Sequence, residues 1–219
     1  MKNMQAFTSH RGLVALLKKS NVDTDQIIPK QFLKSIKRTG FEEGFMYDYR
    51  LNSDGSLNPD FELNAPRYEG ASILVTLNNF GCGSSREHAV WAVMQSGFKV
   101  VIAPVRIEGH ERINAFADIF RNNGFNNGLL TVELSEAEVD EIIATVEANA
   151  GVEATVDLEQ QTVVLHAPTP KSYKFEIDAG IRRNLLEGLD PIAQTLQYES
   201  DISAFEHEEK SEKFNPDRR

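Results

Sequence analysis

Between residues 71 and 97 the chain passes from a buried-strand composition to an amphipathic helix through one tight, polar turn. Ala71-Ser72-Ile73-Leu74-Val75-Thr76-Leu77 is apolar and β-branched, as a strand with two covered faces requires. Ala89-Val90-Trp91-Ala92-Val93-Met94-Gln95-Ser96 reads as a helix, with Gly97 placed as its C-cap. The join is Asn78-Asn79-Phe80-Gly81-Cys82-Gly83-Ser84-Ser85-Arg86-Glu87-His88. Its glycines let the backbone bend and approach a ligand closely. The helix start offers unpaired N–H groups and the positive end of the helix dipole. Ser84 and Ser85 add hydroxyls, and Arg86 adds a planar fork that matches a carboxylate or phosphate. These parts make an anion site. The same residues admit a plainer reading, in which Ser84 or Ser85 caps the helix and Arg86 pairs with a surface acid.

The apolar run Lys99-Val100-Val101-Ile102-Ala103, closed by Pro104, reads as a second strand parallel to the first. A right-handed strand–helix–strand unit then places the serine turn at the carboxyl ends of the strands, where open α/β sheets bind ligands. The turn is not a dinucleotide fingerprint, because Arg86 stands in the third glycine position, and it lacks the Gly-Lys-Ser/Thr of a P-loop. It also lacks the glycine two residues after a nucleophilic serine.

Around this unit the pattern predicts strands over 12–17, 129–132 and 173–177, a hairpin over 154–165, and helices over 116–125, 185–196 and 202–205. Ser135-Glu136-Ala137-Glu138 is a capping box, followed by Val139, Ile142, Ile143 and Val146 on one helical face. Residues 21–29 read as turn and extended chain, with Asp and Asn bonding their own backbone and Pro29 keeping Ile28 extended. Residues 30–38 form a short basic segment with helical character. The expectation is one mixed α/β domain over 1–205 with a β-rich appendage, and a charged tail over 206–219.

Composition narrows the function. No apolar run approaches membrane-spanning length, and the N-terminus lacks a secretory h-region, so a cytoplasmic location is expected, with no membrane partner. The net charge of −10 argues against a general nucleic-acid binder, though not against an anionic substrate held locally by Arg86. A single cysteine excludes an intrachain disulfide and a multi-cysteine cluster on this chain. Cys82 reads as a small hydrophobe rather than a nucleophile. His88 reads as structural, and the five histidines show no metal-ligand spacing. Phe32, Leu33 and Ile36 suit either core or pocket wall, and Asp23 and Asp25 suit either a carboxylate pair or turn formation.

Gly83-Ser84-Ser85-Arg86-Glu87-His88 after a strand resembles the swivelling domain of the aconitase superfamily. Residues 21–29 (Asn-Val-Asp-Thr-Asp-Gln-Ile-Ile-Pro), Arg38-Thr39-Gly40-Phe41, Asn58-Pro59-Asp60-Phe61, Asn79-Phe80-Gly81-Cys82-Gly83, Phe116-Ala117-Asp118-Ile119-Phe120 and Phe125-Asn126-Asn127-Gly128-Leu129-Leu130 narrow this. Together they are similar to the small subunits of 3-isopropylmalate dehydratase, from about Phe7 to about Phe205.

The resemblance implies a swivelling β/β/α domain with a mixed sheet flanked by helices. It implies a large-subunit partner that carries the 4Fe–4S cluster on three cysteines, no cofactor or metal on this chain, and a small dicarboxylate substrate. The reaction it implies is that of a hydro-lyase in leucine biosynthesis, interconverting 2-isopropylmalate and 3-isopropylmalate through isopropylmaleate. By motif, Ser84 matches the base that removes a carbon-bound proton, and Asp25 matches the catalytic aspartate of the active-site loop. Gly83, Ser85 and Arg86 match carboxylate-binding positions. The loop around residues 30–36 matches the substrate-selecting segment, where Phe32 and Leu33 suit an isopropyl group. A related hydro-lyase acting on citraconate, dimethylmalate or homoaconitate, or a non-catalytic anion-binding module, are the alternatives.

One departure stands out. Such small subunits run from Ala-Pro through a serine directly into Phe-Ala-Asp-Ile-Phe. Here Val105-Arg106-Ile107-Glu108-Gly109-His110-Glu111-Arg112-Ile113-Asn114-Ala115 intervenes between Pro104 and Phe116, at the carboxyl end of a predicted strand. Gly124 and Thr131 also stand in place of cysteine and proline.

Overall fold

The computed structural model describes residues 4–34 and 38–207. In chain order it contains β1 (Ser9–Leu17), α1 (Thr24–Ile27), α2 (Tyr47–Arg50), β2 (Ile73–Thr76), α3 (Glu87–Gln95), β3 (Val100–Glu108) and β4 (Glu111–Ile113). There follow α4 (Asp118–Asn127), β5 (Leu130–Ser135), α5 (Glu136–Ala148), β6 (Glu153–Asp157), β7 (Thr162–His166), β8 (Lys171–Lys174), α6 (Ala179–Glu187), α7 (Pro191–Leu196) and α8 (Glu199–His207). Short 3-10 turns, including one at Lys30–Lys34, punctuate residues 30–68.

The strands form one mixed sheet in the order β4-β3-β2-β1-β6-β7-β8, with β5 also paired to β3. β1, β2, β3 and β5 run parallel. Parallel strands carry helices on both faces, which is why Ile73–Thr76 is buried throughout. β6, β7 and β8 add an antiparallel meander at the edge of β1. There burial alternates residue by residue, as expected of a sheet with one wet face.

Two cores lie on the two faces of the sheet. One joins Leu17, Ile28, Phe41, Met46, Phe80, Phe116 and Phe120 to the buried face of α3. The other joins Val14, Ile73, Val132, Tyr173 and Leu185 to Val139, Ile142 and Val146 of α5. The predicted capping box opens α5, with Ser135 and Glu138 bonding each other's backbone reciprocally.

Several boundaries differ from the sequence reading. β3 does not stop at Pro104 but continues to Glu108. Pro104 pairs with Leu134 of β5, beyond the last β2 partner at Ile102 and before the first β4 partner at Arg106. One flank of the proline therefore has no ladder to break. The predicted turn at residues 23–27 is a one-turn helix, capped by Asp23 and Gln26. The helix expected over 185–196 is two helices, because Gly188 adopts a left-handed conformation and Asp190-Pro191 starts a new N-terminus. The strand expected over 173–177 is centred earlier, at Lys171–Lys174, where its register with β7 lies. Ile36 and the tail from residue 208 lie outside the described residues. Among the described residues no helix is long and apolar enough to cross a membrane.

Candidate active site

Three loops meet beyond the carboxyl ends of β1, β2 and β3, and their backbones zip together. Asn21 donates to Asn78 (3.0 Å), Gly81 to Val22 (2.8 Å) and Thr24 to Cys82 (2.8 Å). On the other side Asn79 donates to Asn114 (2.9 Å), Phe80 to Ala115 (3.0 Å) and Ala117 to Phe80 (3.0 Å). The parallel bridges Asp23–Cys82 and Phe80–Phe116 mark this miniature ladder. The turn carrying the serines is thus its middle strand, held on both edges.

Gly81 and Gly83 shape the turn, with φ of 77° and 91°. A Cβ on Gly81 would stand 2.2 Å from Cγ of the buried Phe120, so only glycine fits there. Thr24, 2% exposed, fixes the backbone of Ser84: its hydroxyl accepts from the Ser84 N–H and donates to the Ser84 carbonyl, each at 3.2 Å. Ser84 and Ser85 remain exposed.

The plainer reading of this turn holds only in part. Neither serine caps α3; its N-cap is Arg86, in extended conformation and without a side-chain cap bond. Arg86 does pair with an acid, but that acid is Asp25 of the aspartate loop, across 61 residues. The second oxygen of Asp25 faces Lys30 Nζ at 3.6 Å. Asp25 therefore lies between two cations, and the cluster Asp25, Lys30 and Arg86 carries a net positive charge next to the turn that holds the two serines. In a chain of net charge −10, this is a local concentration of positive charge whose chemistry suits a carboxylate.

Gly83, Ser84, Ser85, Arg86 and Asp25 are thus brought together. Phe32 and Leu33 are placed differently. Both are half-buried and pack against the core, with the Phe32 ring 5.1 Å from that of Tyr47. Of their 3-10 turn, it is Lys30 that reaches the aspartate. The sequence reading missed Lys30 and Thr24. Lys30 had one usable signal, its place directly after Pro29 in the loop that carries Asp25; Thr24 had none, because its partner is 60 residues away.

Cys82 is half-buried, and its thiol is pushed above its ordinary range by burial and then by the charge of Asp23, which suits a bystander rather than a nucleophile. The His88 ring sits 4.9 Å from Trp91 and 5.2 Å from Phe41, a packing role. Among the described residues no group of three His, Cys, Asp or Glu side chains could hold a metal ion. A cavity of about 540 Å³ lies apart from the serine turn, walled by Phe45, Phe61, Tyr68 and Phe98 near the C-terminal end of α3. The serines themselves stand on an open face.

Residues 4–137 match the family model of the Aconitase C-terminal domain, and residues 140–179 match the LeuD_N model. The fold is therefore that of the aconitase class. The 3-isopropylmalate dehydratase small subunit of Desulforapulum autotrophicum is 55% identical over 203 residues, 93% of this chain and 95% of that protein. The crystal structure of a 3-isopropylmalate dehydratase (leuD) from Methanocaldococcus jannaschii superposes with a TM-score of 0.61 at 25% identity, over 90% of this chain and 98% of that one. The chain belongs to the family of 3-isopropylmalate dehydratase small subunits.

Proposed function

We propose that this chain acts in the cytoplasm as the swivelling half of a two-subunit hydro-lyase that isomerises 2-isopropylmalate and 3-isopropylmalate through isopropylmaleate. The observation that carries the reading is the Lys30–Asp25–Arg86 cluster beside the exposed Ser84 and Ser85. Its chemistry suits a carboxylate, and the two serines lie on the same exposed turn as Arg86. An open face is half of a site, and the other half belongs to a large subunit. Cys82 alone cannot supply three thiolates, so on this reading the 4Fe–4S cluster sits on that partner.

In the reading, Arg86 takes one substrate carboxylate in bidentate fashion, with the Ser85 hydroxyl beside it. Lys30 adds a second cation for the other carboxylate, which sets a dicarboxylate apart from a monoacid. Asp25 orients both cations before substrate arrives, so Arg86 does not have to be ordered during binding. Ser84 oxygen accepts the carbon-bound proton as the carbon–carbon double bond forms, and returns a proton to carbon when water re-adds in the opposite sense. A serine is a poor base in water. The start of α3 and the guanidinium of Arg86 stabilise its anionic form. A 4Fe–4S cluster held by the large subunit would supply Lewis-acid chemistry for loss of the hydroxyl. Thr24 keeps Ser84 in register for the transfer.

The test is reconstitution with a cluster-loaded large subunit, followed by hydration of isopropylmaleate read as loss of ultraviolet absorbance. Citraconate and homoaconitate are run in parallel. Turnover fastest with isopropylmaleate supports the reading; preference for the tricarboxylate moves the chain to a sister enzyme; ligand binding without turnover of any of them reduces it to an anion-binding module.

A further inference from the structure

The insertion at residues 105–115 is a built feature. β3 leaves its last β5 partner at Val105, and β4 returns antiparallel beside it, pairing Arg106 with Ile113, Ile107 with Arg112 and Glu108 with Glu111. Gly109 (φ 62°) turns the hairpin. Beyond Val105 the two strands pair with each other and with no other described strand, so the hairpin projects past the sheet by roughly 10–15 Å at ~3.3 Å per residue.

Three of its charges are paired within the chain. Arg106 pairs with Glu108 and with Glu136 at the start of α5. Arg112 pairs with Glu133 of β5, which also holds Arg121 of α4. These contacts brace the hairpin against the body at two points. One large apolar side chain is left over: Ile107, 64% exposed, the most exposed large hydrophobic among the described residues.

The hairpin also reaches the site. Its returning strand runs into Asn114 and Ala115, whose carbonyls accept from Asn79 and Phe80, the residues directly before Gly81. It therefore rises from the same end of the sheet as Ser84, on the side where the proposed function requires the other half of the site.

We infer that this hairpin is a docking arm for the large subunit, with Ile107 as its apolar anchor. The inference rests on the two-subunit reading given above. A braced hairpin is already ordered, so docking costs little conformational entropy. Its edge strand is only three residues long and charged at Glu111 and Arg112, which opposes strand addition and favours insertion of the Ile107 side chain into a partner pocket.

The experiment titrates the full chain with its own cluster-loaded large subunit and measures both Kd and turnover. It compares wild type with Ile107→Asp and with a chain in which one serine replaces residues 105–115. Circular dichroism and the urea midpoint verify folding, and Ile107→Asp keeps the test meaningful if the shortened chain does not fold. The expected result is a Kd at least tenfold weaker for Ile107→Asp, with kcat at saturating partner within twofold of wild type. An unchanged Kd overturns the arm. So does a lowered kcat at unchanged Kd, since the hairpin would then act on the serine turn alone. Faster turnover by the shortened chain also overturns it, because the hairpin would then obstruct the cleft. Wild-type behaviour separates the two ideas: an intact chain that binds and turns over while Ile107→Asp binds equally well loses only the arm, whereas an intact chain that neither binds nor turns over loses both.

Discussion

Replacing Gly81 by alanine isolates the geometry of the serine turn. Two costs apply. The first is backbone strain, since φ is 77° and an L-residue in the left-handed region loses about 1–2 kcal/mol. The second is steric, since the new methyl carbon would meet Cγ, Cβ and Cδ2 of Phe120 at 2.2, 2.5 and 2.6 Å. Phe120 is 2% exposed and stands edge-on to Phe80 with ring centroids 5.2 Å apart, so it has no open space to move into. Overpacking of this kind costs about 1–3 kcal/mol. Gly83→Ala is the control. Its φ of 91° brings the same strain, but its nearest neighbour would be Asp23 Cβ at 3.4 Å, an ordinary contact. The difference between the two variants is then the overpacking alone, about 1–3 kcal/mol. In urea, at a slope of ~2 kcal/mol per molar, that separates their midpoints by roughly 0.5–1.5 M at unchanged slope. Midpoints that coincide for Gly81→Ala and Gly83→Ala would refute the claim that Phe120 is what confines the turn.

Other consequences concern charge. Lys30→Met in the reconstituted enzyme raises KM for the dicarboxylate several-fold with kcat little changed, and Lys30→Arg recovers it; an unmoved KM removes Lys30 from the site. The Cys82 thiol, raised by burial and by Asp23, alkylates with iodoacetamide more slowly than free cysteine at about pH 8, and Asp23→Asn, which keeps a helix-capping residue, speeds it. His10 is pushed below its ordinary range by burial and then by Lys99. The unfolded chain therefore binds more protons just below the ordinary histidine pKa, so stability rises with pH through that window and falls away on acidification. His10→Gln flattens the dependence of the urea midpoint between about pH 5 and 7, and an equally steep profile assigns that dependence to other groups.

What could be read in the sequence is what local chemistry dictates. The serine turn lies where two glycines separate a β-branched run from an amphipathic one. α5 begins at its capping box, and β6 and β7 follow from their alternation. Local rules stopped short at Pro104, which reads as a strand terminator but sits where one neighbour has already ended. They also failed to separate α6 from α7, although Gly188 and Pro191 were present as signals. The site was only partly legible because its parts meet over long separations. Asp25 finds Arg86 61 residues on, and Thr24 finds Ser84 60 residues on. Turn chemistry singled out Arg86 and motif resemblance singled out Asp25; their pairing, and Lys30 on the other side of the carboxylate, are facts of three dimensions. Phe32 and Leu33 stand in a loop assigned by motif resemblance, and both also pack against the core, as their apolar character allowed.

The most direct test of the account compares Ser84→Ala with Ser85→Ala in the complex with the large subunit, measuring kcat and KM for isopropylmaleate hydration. Ser84 is exposed, so the substitution leaves the fold in place. The expected result is that Ser84→Ala lowers kcat by about 10²–10⁴-fold with KM within a few-fold of wild type, as loss of a proton-transfer group should. Ser85→Ala is expected to act mainly on KM. Turnover by Ser84→Ala close to that of wild type would contradict the role of Ser84 as the base.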